Sequence, residues 1–177
     1  MSSRKKSILR GFVAGAAGGA MGTVALNFFQ KGSIEATRAV EANVGNGETY
    51  TKQQENLLDT FEQAHVRTAE TVASAVGTHI PPNSSETTAL ITEFAFGILC
   101  AGVYGALAEY VPAVTAGFGT VYGAALFTGA SEAVLPAIKF VPPPTDRTPV
   151  QHLGGLAGNV VYGAVTEGIR ILFRNAL

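Results

Sequence analysis

Val103-Tyr104-Gly105-Ala106-Leu107-Ala108-Glu109 and Val161-Tyr162-Gly163-Ala164-Val165-Thr166-Glu167 are two copies of one pattern, and Val121-Tyr122-Gly123-Ala124 begins a third. Each copy lies inside a long apolar, glycine-rich stretch, and the third stretch reaches its own acid at Glu132. Lipid tails are as apolar as leucine, so helices in a bilayer gain little by hiding large side chains from them. Small residues instead let backbones approach and raise van der Waals contact. The pattern therefore predicts an all-α integral membrane protein, a four-helix bundle whose closely packed spans carry carboxylates.

The composition agrees with that reading through its distribution. Of 25 acidic and basic side chains in 177 residues, 12 fall between Lys31 and Glu86, which leaves the flanking stretches nearly uncharged. A net charge of −1 supplies no basic field for nucleic acid. The lone Cys100 excludes an intrachain disulfide framework. Against the pattern stands the absence of Trp, which commonly marks membrane interfaces.

Four stretches approach the ~20 residues that span hydrocarbon: about 8–29, 88–111, 113–135 and 150–173. Arg4, Lys5, Lys6 and Arg10 precede the first and place the N-terminus in the cytoplasm; Arg170 and Arg174 place the C-terminus there too. The first stretch can also be read as a secretory signal peptide, but its apolar run is long and no clear A-x-A site follows. Tyr110-Val111-Pro112 reads as a tight turn between the second and third spans. The whole chain, 1–177, is one membrane domain, with 31–86 as an extramembrane helical insert.

Within the insert, Leu58, Phe61, His65, Ala69, Val72 and Val76 recur at helical spacing and form one apolar face. Thr51 with Gln54 reads as a capping box at its start. A separate helix at about 33–43 is expected before it, across the turn Gly45-Asn46-Gly47. The apolar face is expected to rest on the bundle, ahead of the lipid surface or a partner. Pro142-Pro143-Pro144 to Pro149 should form an extended, stiff loop.

Gly11, Gly15 and Gly19 form a small-residue row on the first span; Gly97 and Gly105 flank Ala101 on the second. Gly123 and Gly163 belong to the third and fourth spans. Residues at i and i+4 share a helix face, so Glu109, Glu132 and Glu167 each sit one turn beyond a small residue or Thr128. Glu109, Glu167 and Arg170 should gather at the cytoplasmic end; Glu93, Glu132 and His152 should gather at the other, with Tyr122, Tyr162 and Asn159 between. Such a chain can relay protons or bind a cation. The competing reading is structural: Glu167–Arg170 as an ion pair, the other acids bonded to tyrosines and helix ends, and the tyrosines as core.

Nothing points to catalysis, a cofactor or a metal. His65, His79 and His152 lack zinc-site spacing, and no triad is apparent around Ser131. Gly117-Phe118-Gly119 with Gly123 departs from the dinucleotide fingerprint and follows no strand.

The chain resembles the YagU-like family of small bacterial inner-membrane proteins, whose biochemical role is unassigned. The likeness rests on the glycine-rich first span, on Gly105-Ala106-Leu107-Ala108-Glu109-Tyr110-Val111-Pro112, on Ala130-Ser131-Glu132-Ala133-Val134-Leu135-Pro136 and on Asn159-Val160-Val161-Tyr162-Gly163. It covers most of the chain, more weakly across 31–86. Ser131 stands where the family's acidic pair has Asp, and Asn159 where its His-x-x-Tyr-Gly element has His. The resemblance implies a four-span inner-membrane fold. With the residues it supports a non-enzymatic structural, assembly or envelope-support protein, with lipid and a homo-oligomer or larger complex as partners. A small proton or cation conductor using the intramembrane carboxylates is the alternative.

Overall fold

The computed structural model describes residues 3–44, 49–81 and 84–177. Among these, every regular element is helical: α1 (Ser3–Val44), α2 (Thr49–Ala75), α3 (Ser85–Ala108), α4 (Thr120–Leu126), a π-helical stretch (Phe127–Val134), α5 (Leu135–Ala137) and α6 (Pro149–Ala176). α1 lies at the centre, against α3 on one side and α6 on the other, and α4 packs on α6.

α1 is one helix of 42 residues, so the helix expected at 33–43 is its continuation and not a separate element. Nothing in Gln30-Lys31-Gly32-Ser33 stops it. The Ser33 hydroxyl donates to the Gln30 carbonyl and the Thr37 hydroxyl to the Ser33 carbonyl. Isolated Gly32 costs about 1 kcal/mol without breaking the ladder. At 1.5 Å per residue such a helix reaches about 60 Å, twice a hydrocarbon core.

Its far end organises α2. Glu41 accepts from the backbone amides of Tyr50 (2.6 Å) and Thr51 and from the Thr51 hydroxyl (2.6 Å), while Arg38 pairs with Glu55. A carboxylate from the neighbouring helix thus satisfies α2's first amides. Thr51 lies inside the helix, and Gln54 accepts from Thr37; the expected Thr51–Gln54 box does not form. The Gly45-Asn46-Gly47 turn lies outside the described residues. α2 does pack on α3, α1 and α6, through a face shifted from the expected one: Leu57, Ala64 and Ala73 are buried, whereas Val72 and Val76 are exposed.

Glycine sets the helix spacing. A Cβ at Gly15 would lie 2.1 Å from the Ala101 carbonyl, one at Gly19 2.6 Å from that of Gly97, and one at Gly105 2.2 Å from that of Gly11. Gly18 and Gly22 meet Thr166 and Tyr162 of α6 in the same way, and Gly123 meets Asn159. The glycine rows are used within one chain, so they do not form a free outer surface of the first span.

The connection after α3 is longer than a tight turn. It includes a 3-10 turn, Pro112–Thr115, and left-handed backbone at Gly117, Phe118 and Gly119. The third helical stretch therefore starts at Thr120 and widens into the π segment ahead of Pro136. Proline cannot donate to the carbonyl four residues back and clashes with it; a wider turn removes that conflict. The proline loop is extended only in part, since Pro144–Asp146 forms a 3-10 turn. Beyond it, a capping box starts α6: the Thr148 amide donates to Gln151 Oε1 (2.9 Å) and the Gln151 amide to the Thr148 hydroxyl. Both side chains also bond Gln53 of α2. Thr148→Ala is expected to lower stability by about 1 kcal/mol, readable as an earlier denaturant midpoint in micelles.

Two helices, α1 and α3, are long and apolar enough to cross a membrane. The other two stretches fall short for visible reasons. Pro136 and the π segment interrupt the third, and Gln151, His152, Asn159, Glu167, Arg170 and Arg174 dilute α6.

Candidate functional site

The three repeats converge. Tyr104 and Tyr122 stack with ring centroids 4.1 Å apart, and Tyr162 lies 6.0 Å from Tyr122. Glycine beside each tyrosine explains the geometry, because it brings the backbones close enough for rings from three helices to share one layer. The Tyr104 hydroxyl donates to Glu167 (2.9 Å) and that of Tyr162 to the Gly97 carbonyl (2.6 Å). The hydroxyls of Tyr122 and Thr166 are buried without a hydrogen-bond partner among the described residues.

At one end of the bundle, Arg170 grips Glu167 through two contacts (2.6 and 2.8 Å) and Arg174 grips Glu109 likewise (2.6 and 3.0 Å). Ser7 of α1 adds a hydrogen bond to Glu109. At the other end, Arg147 donates to Glu132 (2.8 Å) and to the Ser131 carbonyl (3.0 Å), and its guanidinium lies over Phe61 of α2. His152 approaches Glu132 at 3.3 Å. The two ends thus hold the acids grouped as the sequence predicts. Arg147 and Arg174 are the partners that sequence spacing does not reveal, and Thr128 faces outward, away from the polar layer.

Glu93 differs. Asn27 donates to it (3.1 Å), and no basic side chain among the described residues pairs with it. It lines a cavity of about 330 Å³ between α2 and the bundle. Thr23, Asn159 and Tyr162 line it from the bundle and Leu57, Phe61 and His65 from α2. The π segment contributes Phe127, Ala130 and Ser131. Ser131 and Asn159 therefore border one space. Burial holds the His65 imidazole below its ordinary value of 6.5, by penalising its charged form. A base with a depressed value is neutral when docked and takes up its proton on release. Docking of α2 is thus fully stable above pH 6.5 and weakens as pH falls through the lower, docked value. Amide protection factors in α2, taken relative to the intrinsic exchange rate at each pH, should fall on acidification below pH 6.5 by up to about tenfold per pH unit, and His65→Gln should flatten that response. Glu62, Glu86, Glu93 and Lys31 border the same cavity, so the variant is what isolates the histidine.

Among the described residues no three His, Cys, Asp or Glu side chains are grouped to hold a metal. No curated protein and no solved structure matches the chain. One family model does, over residues 55–168, described as a protein of unknown function (DUF1440). The matched range runs from within α2 to the Glu167 end of α6 and takes in all three tyrosine repeats; the glycine-rich first span lies outside it. With well over half its length in that match, the chain belongs to the DUF1440 family, the YagU-like proteins of unknown function.

Proposed function

We propose that the chain is a four-span protein of the bacterial inner membrane, both termini cytoplasmic and α2 on the outer face, acting as a non-enzymatic structural or assembly component of the envelope. The observation that carries this is the closure of Glu109, Glu132 and Glu167 by arginines of the same bundle. Glu109–Arg174 and Glu132–Arg147 tie separate elements together, while Glu167–Arg170, within α6, neutralises the acid that accepts from Tyr104 of α3. A conductor needs carboxylates free to exchange ions along a hydrated path. Here three of the four candidate carboxylates are occupied and divided between two ends, and Glu93 alone lacks a basic partner among the described residues.

Side-chain exposure supports membrane burial. Ile91, Leu99, Val103 and Leu107 are exposed along α3, as are Val13 and Met21 on α1, Val121 on α4 and Leu172 on α6. Apolar surface on this scale requires lipid or a partner. Because the glycine rows are filled internally, a homo-oligomer or larger complex would meet through these larger side chains.

Proton flux into proteoliposomes under an imposed pH gradient tests the proposal. Wild type and a Glu109→Gln, Glu132→Gln, Glu167→Gln variant should both match empty liposomes. Flux in the wild type that disappears in a folded variant would replace the structural reading with the conductor.

A further inference from the structure

We propose that the cavity beneath α2 binds a small organic cation, an amine or quaternary ammonium group carrying an apolar body, with Glu93 as its counter-charge. Three features of the lining lead there. The first is the unmatched carboxylate: Glu109, Glu132 and Glu167 each have an arginine, whereas Glu93 has, among the described residues, only the Asn27 amide. A part-buried carboxylate without a base gains most from an incoming positive charge. Lys31, the only lysine or arginine of the lining among the described residues, is exposed and forms no ion pair with it.

The second feature is aromatic. Phe61, Phe96, Phe127 and Tyr162 all border the space, and ring faces attract ammonium groups, most strongly when desolvated. The third is size. About 330 Å³ falls at the small end of the ~300–1,000 Å³ typical of ligand pockets, far larger than a bare metal ion needs. The leucine-rich walls and the lack of a metal-ligand cluster agree with an organic occupant. Glu62 and Glu86 add negative charge to the lining from two different helices, both with exposed side chains that place the mouth at the α2 end. The other polar groups at the inner end are neutral and already donate to backbone: Thr23 to the Gly19 carbonyl, Asn159 to that of Gly155 and Tyr162 to that of Gly97. Glu93 is therefore the charged group at the inner end, and their remaining acceptor oxygens can only add to it.

The cation can arrive as a free molecule or as the amine headgroup of a lipid. Purified full-length protein in nanodiscs of anionic, amine-free lipid should bind benzyltrimethylammonium in calorimetric titration, and should bind its uncharged carbon isostere neopentylbenzene at least about tenfold more weakly. Glu93→Gln should weaken cation binding by about tenfold or more with helicity and thermal midpoint retained. Glu86→Gln, at an exposed position that tolerates exchange, should weaken it by about two- to threefold and keeps the test open if the first variant misfolds. Glu70→Gln on the exposed face of α2 should leave it unchanged. Equal binding of cation and isostere, equal binding by wild type and Glu93→Gln, or no cation binding at millimolar concentration would each overturn the proposal. Competition by amine-headgroup lipid added to the nanodiscs would assign the occupant to the bilayer, and its absence to a free cation.

Discussion

Gly15→Leu should separate α1 from α3 and cost about 3 kcal/mol or more, at or beyond the upper end of overpacking penalties. The reason is the identity of the atoms in the way. A Cβ at Gly15 would lie 2.1 Å from the Ala101 carbonyl oxygen and 2.9 Å from the Gly105 Cα. Both belong to backbone, so no rotamer change can clear the space. Moving the helices apart would also open the approaches of Gly11 to Gly105 and of Gly19 to Gly97, so one substitution would loosen the seam over several turns. Gly32→Ala supplies the contrast, because a Cβ there meets nothing within 4 Å. It should stabilise by about 0.5–1 kcal/mol through helix propensity alone. Reversible unfolding in mixed micelles would measure both. A Gly15→Leu protein as stable as wild type would mean that the two helices do not meet this closely.

The same residues show how much of the fold the sequence carries. Rows at i, i+4 report a helix face directly, so Gly11, Gly15 and Gly19 on one span and Gly97, Ala101 and Gly105 on the next were legible as two close-packing stripes, though not as each other's partners. The three Val-Tyr-Gly-Ala copies likewise signalled three similar helix surfaces, and their rings do meet. Local spacing says nothing about partners distant in sequence. Arg174 reaches Glu109 across 65 positions, and Arg147 reaches Glu132 from a loop with no periodicity to read. The phase of α2 was missed for a related reason. Val72 and Val76 fit the apolar spacing, yet the burying surface is set by where α3 and α6 lie, and Leu57, Ala64 and Ala73 face it in place of these valines. The cavity itself belongs to no single element. It is the space left where α2, the π segment and the bundle fail to close, and only their joint placement shows that Glu93, His65 and Phe127 share it.

At the opposite end, the Glu167–Arg170 pair should show strong asymmetry between its two halves. Arg170→Leu removes both guanidinium contacts and leaves a carboxylate whose side chain is 4 % exposed, with only the Tyr104 hydroxyl as partner. Stranding one charge of a buried pair costs about 3–5 kcal/mol. Glu167→Gln should cost less, about 1–3 kcal/mol. The amide still accepts from Tyr104, and Arg170 is close enough to the helix end to carry its charge outward along its aliphatic stem. The double variant should then be more stable than Arg170→Leu alone, since it no longer buries an unmatched charge. Unfolding free energies of the four proteins close the cycle. Equal and additive single costs would mean that the pair is solvated, and the structural reading of the paired carboxylates would lose its main support. Recovery in the double variant would show instead that the arginine is there to keep Glu167 neutralised inside the bundle, a task incompatible with a carboxylate that must exchange ions.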